Sequence, residues 1–130
     1  MPGKVLIIDD DVDMVEAEKM VLENNGYTVS TAYDGEEGYK KILEVSPDII
    51  ILDVMMATPE EGFQLAYKLK EDDKLSKIPI VMVTSISKET GFKFNPQKDQ
   101  DFLPVHQFIE KPIKPEELLE AIEKAMKSRN

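Results

Sequence analysis

Short apolar runs alternate along the chain with longer stretches in which apolar residues recur every three or four positions. The runs are about five residues long, and most end on a polar residue. Continuous apolar runs of this length are typical of strands that are buried on both faces of a parallel sheet. The pattern predicts strands over residues 4–9, 27–32, 49–53, 80–83 and 108–110.

Helical periodicity fills most of the intervals between these strands. In the first interval Asp11 is a predicted N-cap, and Gly26 is predicted to follow the end of a helix over residues 12–25. Asp34 and Glu37 have the spacing of a capping box, which predicts a second helix ending near residue 45. The expected core-facing positions are Met14, Ala17 and Val21 in the first helix, Gly62, Leu65, Ala66 and Leu69 in the third, and Leu118, Ile122 and Ala125 in the last.

This alternation of strands and helices predicts an α/β fold. Its expected form is a doubly wound parallel sheet with right-handed crossovers and helices on both faces. Five strands suit a flavodoxin-like order, 2-1-3-4-5. Residues 86–107 depart from the pattern, because Gly91, Pro96 and Pro104 break any long helix. We therefore expect a single domain over residues 1–130, with an extended segment in place of a regular helix between strands 4 and 5.

Polar residues follow four of the predicted strands. In the expected order these strand ends meet at one edge of the sheet, where open α/β sheets bind their ligands. A single aspartate at such a position could simply cap a loop. Polar groups at four strand ends indicate a site instead. These residues are Asp9 and Asp10, Asp53, Thr84 and Ser85, and Lys111.

The residue types at this edge suit phosphoryl chemistry. Clustered carboxylates repel one another unless a cation neutralises them, and oxygen ligands without His or Cys favour Mg²⁺. One carboxylate would then remain as a nucleophile towards phosphorus. Lys111 would balance charge on the phosphoryl oxygens, and the Thr84 hydroxyl would donate a hydrogen bond to one of them. No Gly-rich loop follows the first strand, so a nucleotide or flavin phosphate is not expected there.

Composition narrows the class of partners. The formal net charge of -10 argues against direct binding of nucleic acid or of an anionic membrane. The chain has no cysteine, which excludes disulfides and zinc–thiolate sites. No apolar run approaches the roughly 18 residues of a membrane span, and the first residues are not expected to form a signal peptide. We expect a cytoplasmic protein.

Over essentially its whole length the chain resembles the receiver domain of two-component response regulators, and in particular single-domain receivers of the chemotaxis-regulator type. The resemblance rests on the polar residues at the strand ends together with the Asp34-Gly35 pair. Lys111-Pro112 and the Gly62-x-x-Leu65-Ala66 pattern also match the family.

The resemblance implies a role for each residue of the site. Asp53 would accept a phosphoryl group from a sensor histidine kinase or a phosphotransfer protein. Asp9, Asp10 and Asp53 would hold Mg²⁺, which Mn²⁺ can replace, and the backbone carbonyl of Met55 would complete the metal ligands. Lys111 and Thr84 would assist the transfer. Thr84 and the aromatic residue Phe108 would act as the switch.

The implied function is a stand-alone signalling switch without an output domain. It would act on a downstream protein target, and a homodimer is among its expected assemblies because receivers often dimerise. It would not be an enzyme beyond its own phosphorylation and slow dephosphorylation. Dephosphorylation of Asp53 is expected to be slow because Met55 and Ile86, two residues after Asp53 and Thr84, are apolar. Their side chains cannot orient a water molecule to attack the phosphoryl group.

Two departures from the family pattern affect this interpretation. The loop after Asp53 reads Met56-Ala57-Thr58-Pro59 rather than the usual Met-Pro pair, and the interval from Thr84 to Lys111 is longer than usual. The output face is therefore expected to be non-standard. Phe92, Phe94, Phe102 and Leu103 would either cover the core or form a patch for a partner, and His106 is expected to be an ordinary surface residue.

Two further functions stay open from the sequence. One is a Mg²⁺-dependent phosphohydrolase with Asp53 as its nucleophile. Met55 counts against it, because such enzymes usually carry a second aspartate at that position. The other is a receiver-like binding module that is never phosphorylated and docks a partner constitutively. The complete set of site residues argues against this second alternative.

Overall fold

Five parallel strands form the centre of the computed structural model, which describes residues 3–53, 59–84, 107–110 and 113–128. None of the described helices is long and apolar enough to cross a membrane. The strands are β1 (Lys4–Ile8), β2 (Thr28–Ala32), β3 (Ile49–Asp53), β4 (Ile80–Thr84) and β5 (Gln107–Glu110). The helices are α1 (Val12–Asn24), α2 (Gly35–Val45), α3 (Pro59–Glu71) and α4 (Pro115–Ser128), with a short 3-10 helix at Leu75–Lys77.

The sheet has β1 and β3 at its middle. β1 pairs in parallel with β2 on one side and with β3 on the other, and β3 pairs with β4. The predicted α/β class and the order 2-1-3-4 are confirmed. The four residues of β5 lie along the free side of β4. The predicted atypical segment over residues 86–107 lies almost entirely outside the described residues.

Both faces of the sheet are covered, which explains why the strands are continuously apolar. Alternate strand residues such as Ile8 and Leu52 pack against α2 and α3 on one face. Their neighbours, such as Ile7 and Ile51, pack against α1 and α4 on the other. All five residues of β3 are buried, Asp53 included. A carboxylate at the end of this strand is therefore set in a closely packed part of the fold.

Both ends of α1 form as the sequence predicts. Asp11 is the N-cap, and its Oδ1 accepts the Met14 N–H at 3.1 Å. At the other end Gly26 has a φ of 90°, the left-handed conformation that glycine adopts without strain. The Gly26 N–H donates to the Glu23 carbonyl, and the Tyr27 N–H donates to the Leu22 carbonyl. This is the Schellman pattern of a helix C-terminus.

The predicted core-facing stripe of α1 is wrong by one position. Met14 and Val21 are half-buried and Ala17 is exposed. The apolar pattern misleads because an acidic residue stands on the buried face, while apolar residues elsewhere on the helix face solvent. The residues buried in α1 are Val15, Glu18 and Leu22.

The core positions predicted for the other helices agree with the structure wherever the structure describes them. The burial of Gly62 lies outside the described residues. The buried residues are Leu65, Ala66 and Leu69 in α3, and Leu118, Ile122 and Ala125 in α4.

Asp34 and Glu37 start α2 as predicted. Asp34 Oδ1 accepts the Glu37 N–H at 2.7 Å. The Glu37 carboxylate accepts the N–H of Tyr33, one residue before the N-cap, also at 2.7 Å. Two backbone donors at the start of the helix thus have partners.

Ser46 ends α2 in the left-handed conformation, with φ 48° and ψ 65°. This conformation costs an L-residue about 1–2 kcal/mol, and glycine avoids most of that cost. We expect Ser46→Gly to raise the free energy of unfolding by about 1 kcal/mol, measured by urea denaturation. Ser46→Ala keeps the Cβ atom and should give no gain. A Gly variant no more stable than wild type would contradict this account of the helix end.

Candidate metal centre

The ends of β1 and β3 bring three aspartates together. The last residues paired between these strands are Ile8 and Leu52, so Asp9 and Asp53 follow side by side at the same edge. Oxygen atoms of Asp9, Asp10 and Asp53 all lie within 4.8 Å of one another. The predicted convergence of these three residues is therefore observed.

The three carboxylates differ in their exposure to solvent. Asp9 and Asp53 are 2% and 1% exposed, whereas Asp10 is exposed. The cluster is thus closed on the protein side and open towards water. A hard cation that keeps part of its hydration shell, such as Mg²⁺, suits a site of this kind.

The backbone fixes Asp9 from two directions. Its N–H donates to the carbonyl of Ala32, the last residue of β2, at 3.1 Å. Its carboxylate Oδ1 accepts the N–H of Asp11 at 2.9 Å. The second of these bonds is a contact that the sequence pattern did not indicate. Only the adjacency of the three aspartates in the chain hinted at it.

Electrostatic repulsion within the cluster favours a cation. Two buried carboxylates within 4.8 Å repel each other by roughly 3 kcal/mol at an effective dielectric constant of about 20. The positive N-terminal end of α1, which begins three residues after Asp9, offsets part of this repulsion. A divalent cation would turn the repulsion into attraction. Three oxygen donors with no nitrogen or sulfur fit Mg²⁺ or Mn²⁺ and disfavour zinc or copper.

The predicted residues on β4 and β5 lie partly within the described structure. Asp53 is paired with Val83, so Thr84 comes one position further along at the same edge. Thr84 in turn is paired with Glu110, the last residue of β5. Predictions about the side chains of Thr84 and Phe108 lie outside the described part of the structure. The other predictions fall wholly outside the described residues. They concern Met55, Ser85, Ile86, Phe92, Phe94, Phe102, Leu103, His106, Lys111 and Pro112.

A cavity of about 420 Å³ lies between α2 and α3, and none of the three aspartates lines it. The Lys68 ammonium lies 3.9 Å from the centre of the Tyr39 ring in its wall. Lys40 and Glu36, also in the wall, form an exposed ion pair at 3.7 Å. The charged groups that line this cavity are thus exposed surface side chains.

Comparison with known proteins gives a single answer. The sequence model of the family described as "Response regulator receiver domain" matches residues 5–123, from β1 into α4. A curated relative from Bacillus subtilis (strain 168) is the alkaline phosphatase synthesis transcriptional regulatory protein PhoP. It is 32% identical over 125 residues, which cover 91% of this chain and 46% of PhoP.

A second curated relative is the DNA-binding dual master transcriptional regulator RpaA of Synechocystis sp. (strain ATCC 27184 / PCC 6803 / Kazusa). It is 35% identical over 83 residues, which cover 64% of this chain and 34% of that protein. The chain thus spans less than half the length of these two relatives.

Solved structures of similar length show the same fold. The chemotaxis response regulator CheY4 of Vibrio cholerae superposes with a TM-score of 0.81 at 28% identity, covering 96% of this chain and 99% of CheY4. The N-terminal domain of a response regulator receiver protein from Methanoculleus marisnigri JR1 gives 0.71 at 30% identity, covering 92% and 93%. A receiver domain belongs to two-component signalling and is not a conventional enzyme. The family model matches nearly the whole chain, and the three clustered aspartates form an acidic metal site. The protein therefore belongs to the response regulator receiver domain family.

Proposed function

We propose that the chain is a phosphorylation-activated switch that accepts a phosphoryl group onto Asp53 from a sensor histidine kinase or a phosphotransfer protein. The observation that carries this proposal is the cluster of Asp9, Asp10 and Asp53 in a chain of the receiver family. The reaction forms a bond between an Asp53 carboxylate oxygen and phosphorus, and the bond from phosphorus to the donor histidine nitrogen breaks.

Asp53 is the best-placed nucleophile of the three aspartates. It ends the central strand β3, whose five residues are all buried, so packing limits the movement of its side chain. Asp9 Oδ1 already accepts the Asp11 N–H, and Asp10 is exposed. Asp9 and Asp10 therefore suit the role of metal ligands. Bound Mg²⁺ would offset the negative charge of the carboxylates and of the incoming phosphoryl oxygens.

The remaining roles belong to the same proposal. Lys111 pairs with the phosphoryl oxygens, Thr84 donates a hydrogen bond to one of them, and Met55 offers its backbone carbonyl to the metal. Phe108 follows Thr84 as the second switch residue. The full flavodoxin-like order 2-1-3-4-5 supports this set, since β5 would direct Lys111 to the edge that holds Asp53.

The proposal extends to the context in which the switch acts. We propose that residues 1–130 form a single receiver domain that works in the cytoplasm with Mg²⁺ or Mn²⁺ and dephosphorylates itself slowly. Its output is a changed surface for a downstream protein or for a second copy of the chain. RpaA is named as DNA-binding. The net charge of -10 supports contact with proteins rather than with nucleic acid for this chain.

Intact mass spectrometry after incubation with acetyl phosphate and Mg²⁺ tests the proposal. We expect a gain of one phosphoryl group, mapped to Asp53, and no gain when EDTA removes the metal. Asp48→Asn is the matched control, because Asp48 lies just before β3 at the opposite end from Asp53 and its carboxylate accepts the Lys4 N–H. This variant should be phosphorylated like wild type. No gain with acetyl phosphate left intact would favour the constitutive binding module instead.

A further inference from the structure

The third residue of the aspartate run has a different environment from the first two. Among the described residues, the aspartates that could hold a metal are Asp9, Asp10 and Asp53, and Asp11 is not one of them. The Asp11 side chain is exposed and turns towards the start of α1, where its Oδ1 accepts the Met14 N–H at 3.1 Å. Its backbone is extended, with φ -87° and ψ 100°, as is usual for an N-cap.

Asp11 also contacts one of the three clustered aspartates, Asp9, through its backbone. Its N–H donates to Asp9 Oδ1 at 2.9 Å, and its carbonyl accepts the Val15 N–H at 3.0 Å. The N–H, the carbonyl and the side-chain carboxylate of this residue are thus all engaged. The same residue thus accepts the Met14 N–H with its side chain and, in an extended backbone conformation, donates its own N–H to Asp9.

We propose that Asp11 is a positioning residue for the metal: by capping α1 it directs its own N–H onto the Asp9 carboxylate and holds that carboxylate in the orientation that binds Mg²⁺. The inference rests on the proposed function, because it requires the three aspartates to bind the metal. Hydrogen bonds to metal-ligating carboxylates typically change metal affinity by about 10- to 100-fold. Asp11 acts through its backbone, so we expect an effect at the lower end, about tenfold.

Three substitutions separate the cap from the charge. Asp11→Asn and Asp11→Ser keep a side-chain oxygen that can accept the Met14 N–H, and both remove the negative charge. Asp11→Ala removes the cap and the charge together. If the cap matters, Asn and Ser bind Mg²⁺ within about threefold of wild type and Ala binds about tenfold more weakly. Equal weakening in all three variants would show that Asp11 acts through its charge, and would overturn the proposal.

Asp34→Ala is the matched control for loss of a helix cap. Asp34 caps α2 by accepting the Glu37 N–H at 2.7 Å and is not part of the described metal cluster. It should lower stability about as much as Asp11→Ala and leave the affinity for Mg²⁺ unchanged. If Asp34→Ala weakens Mg²⁺ binding to the same degree, the effect is one of general stability and the inference is wrong.

Titration calorimetry of the full chain with Mg²⁺ gives the affinities, and phosphorylation by acetyl phosphate gives a second readout. In Asp11→Ala the Mg²⁺ concentration for half-maximal phosphorylation should rise about tenfold, while the rate at saturating Mg²⁺ stays near that of wild type. Wild type that binds no Mg²⁺ would overturn the proposed function itself. Wild type and Asp11→Ala that bind Mg²⁺ equally well would overturn only the role of Asp11.

Discussion

Asp53→Asn is expected to abolish phosphoryl uptake and at the same time to stabilise the metal-free protein. The amide has nearly the shape of the carboxylate, which matters at a position that is only 1% exposed. It lacks the anionic oxygen that would attack phosphorus, so no phosphoryl group should be gained. It also removes one of the charges that repel within 4.8 Å, which should raise the free energy of unfolding by about 1–2 kcal/mol.

Urea denaturation with and without Mg²⁺ measures the second effect. A ligand that binds only the folded state stabilises it by about 2.7 kcal/mol at a hundred times its dissociation constant. Wild type should show a stabilisation of this kind, and Asp53→Asn should lose most of it. Asp48→Asn, at the opposite end of β3, should respond to Mg²⁺ like wild type. An Asp53→Asn protein that is less stable than wild type in EDTA, or that still gains a phosphoryl group, would contradict the assignment of the site.

The central strand shows how much of this fold can be predicted from sequence. The first four residues of β3 are continuously apolar because packing on both faces requires it, and the same is true of the first four residues of β4. Caps at Asp11 and Gly26 were predictable because their residue types suit one backbone conformation. These signals are local in the sequence, so they predict the elements without knowledge of the tertiary structure.

The approach of the three aspartates was also predictable, but only by way of the strand order. Once β1 and β3 are neighbours, residues that follow their ends must meet at one edge. The position of Asp9 relative to Asp53 along the two strands depends on the strand register, which pairs Ile8 with Leu52 and which no sequence pattern specifies. The roles of Thr84, Phe108, Met55 and Lys111 remain predictions.

The failure on α1 has a physical cause. Sequence periodicity assumes that buried positions are apolar, and here Glu18 is only 3% exposed while Met20 is 64% exposed. The Glu18 carboxylate interrupts the true stripe, whereas Met14, Ala17 and Val21 form an apolar stripe one position away that is not buried. The bond from the Asp11 N–H to Asp9 escapes prediction for a different reason, because the direction of a backbone N–H in a turn depends on dihedral angles.

Gly38→Ala is expected to destabilise the protein by about 2 kcal/mol, although alanine favours a helix over glycine by about 1 kcal/mol. Gly38 lies on α2 directly against β1. A Cβ atom there would come within 2.7 Å of Ile8 Cδ1 and 3.1 Å of both Ile8 Cγ atoms. Ile8 is fully buried between its neighbours and cannot withdraw without displacing them. Steric overlap therefore outweighs the gain in helix propensity.

The same substitution should also weaken Mg²⁺ binding, because Ile8 immediately precedes Asp9 and displacement of its backbone would move the carboxylate. Ile8→Val removes the Cδ1 atom that the new methyl group would meet, and by itself should cost about 1 kcal/mol. In the double variant we expect at least about 1 kcal/mol less destabilisation than the sum of the single effects, with partial recovery of Mg²⁺ affinity. Urea denaturation and calorimetry measure the two quantities. Additive losses within about 0.5 kcal/mol would show that Gly38 and Ile8 are not coupled, and that close packing of α2 on β1 does not determine the position of Asp9.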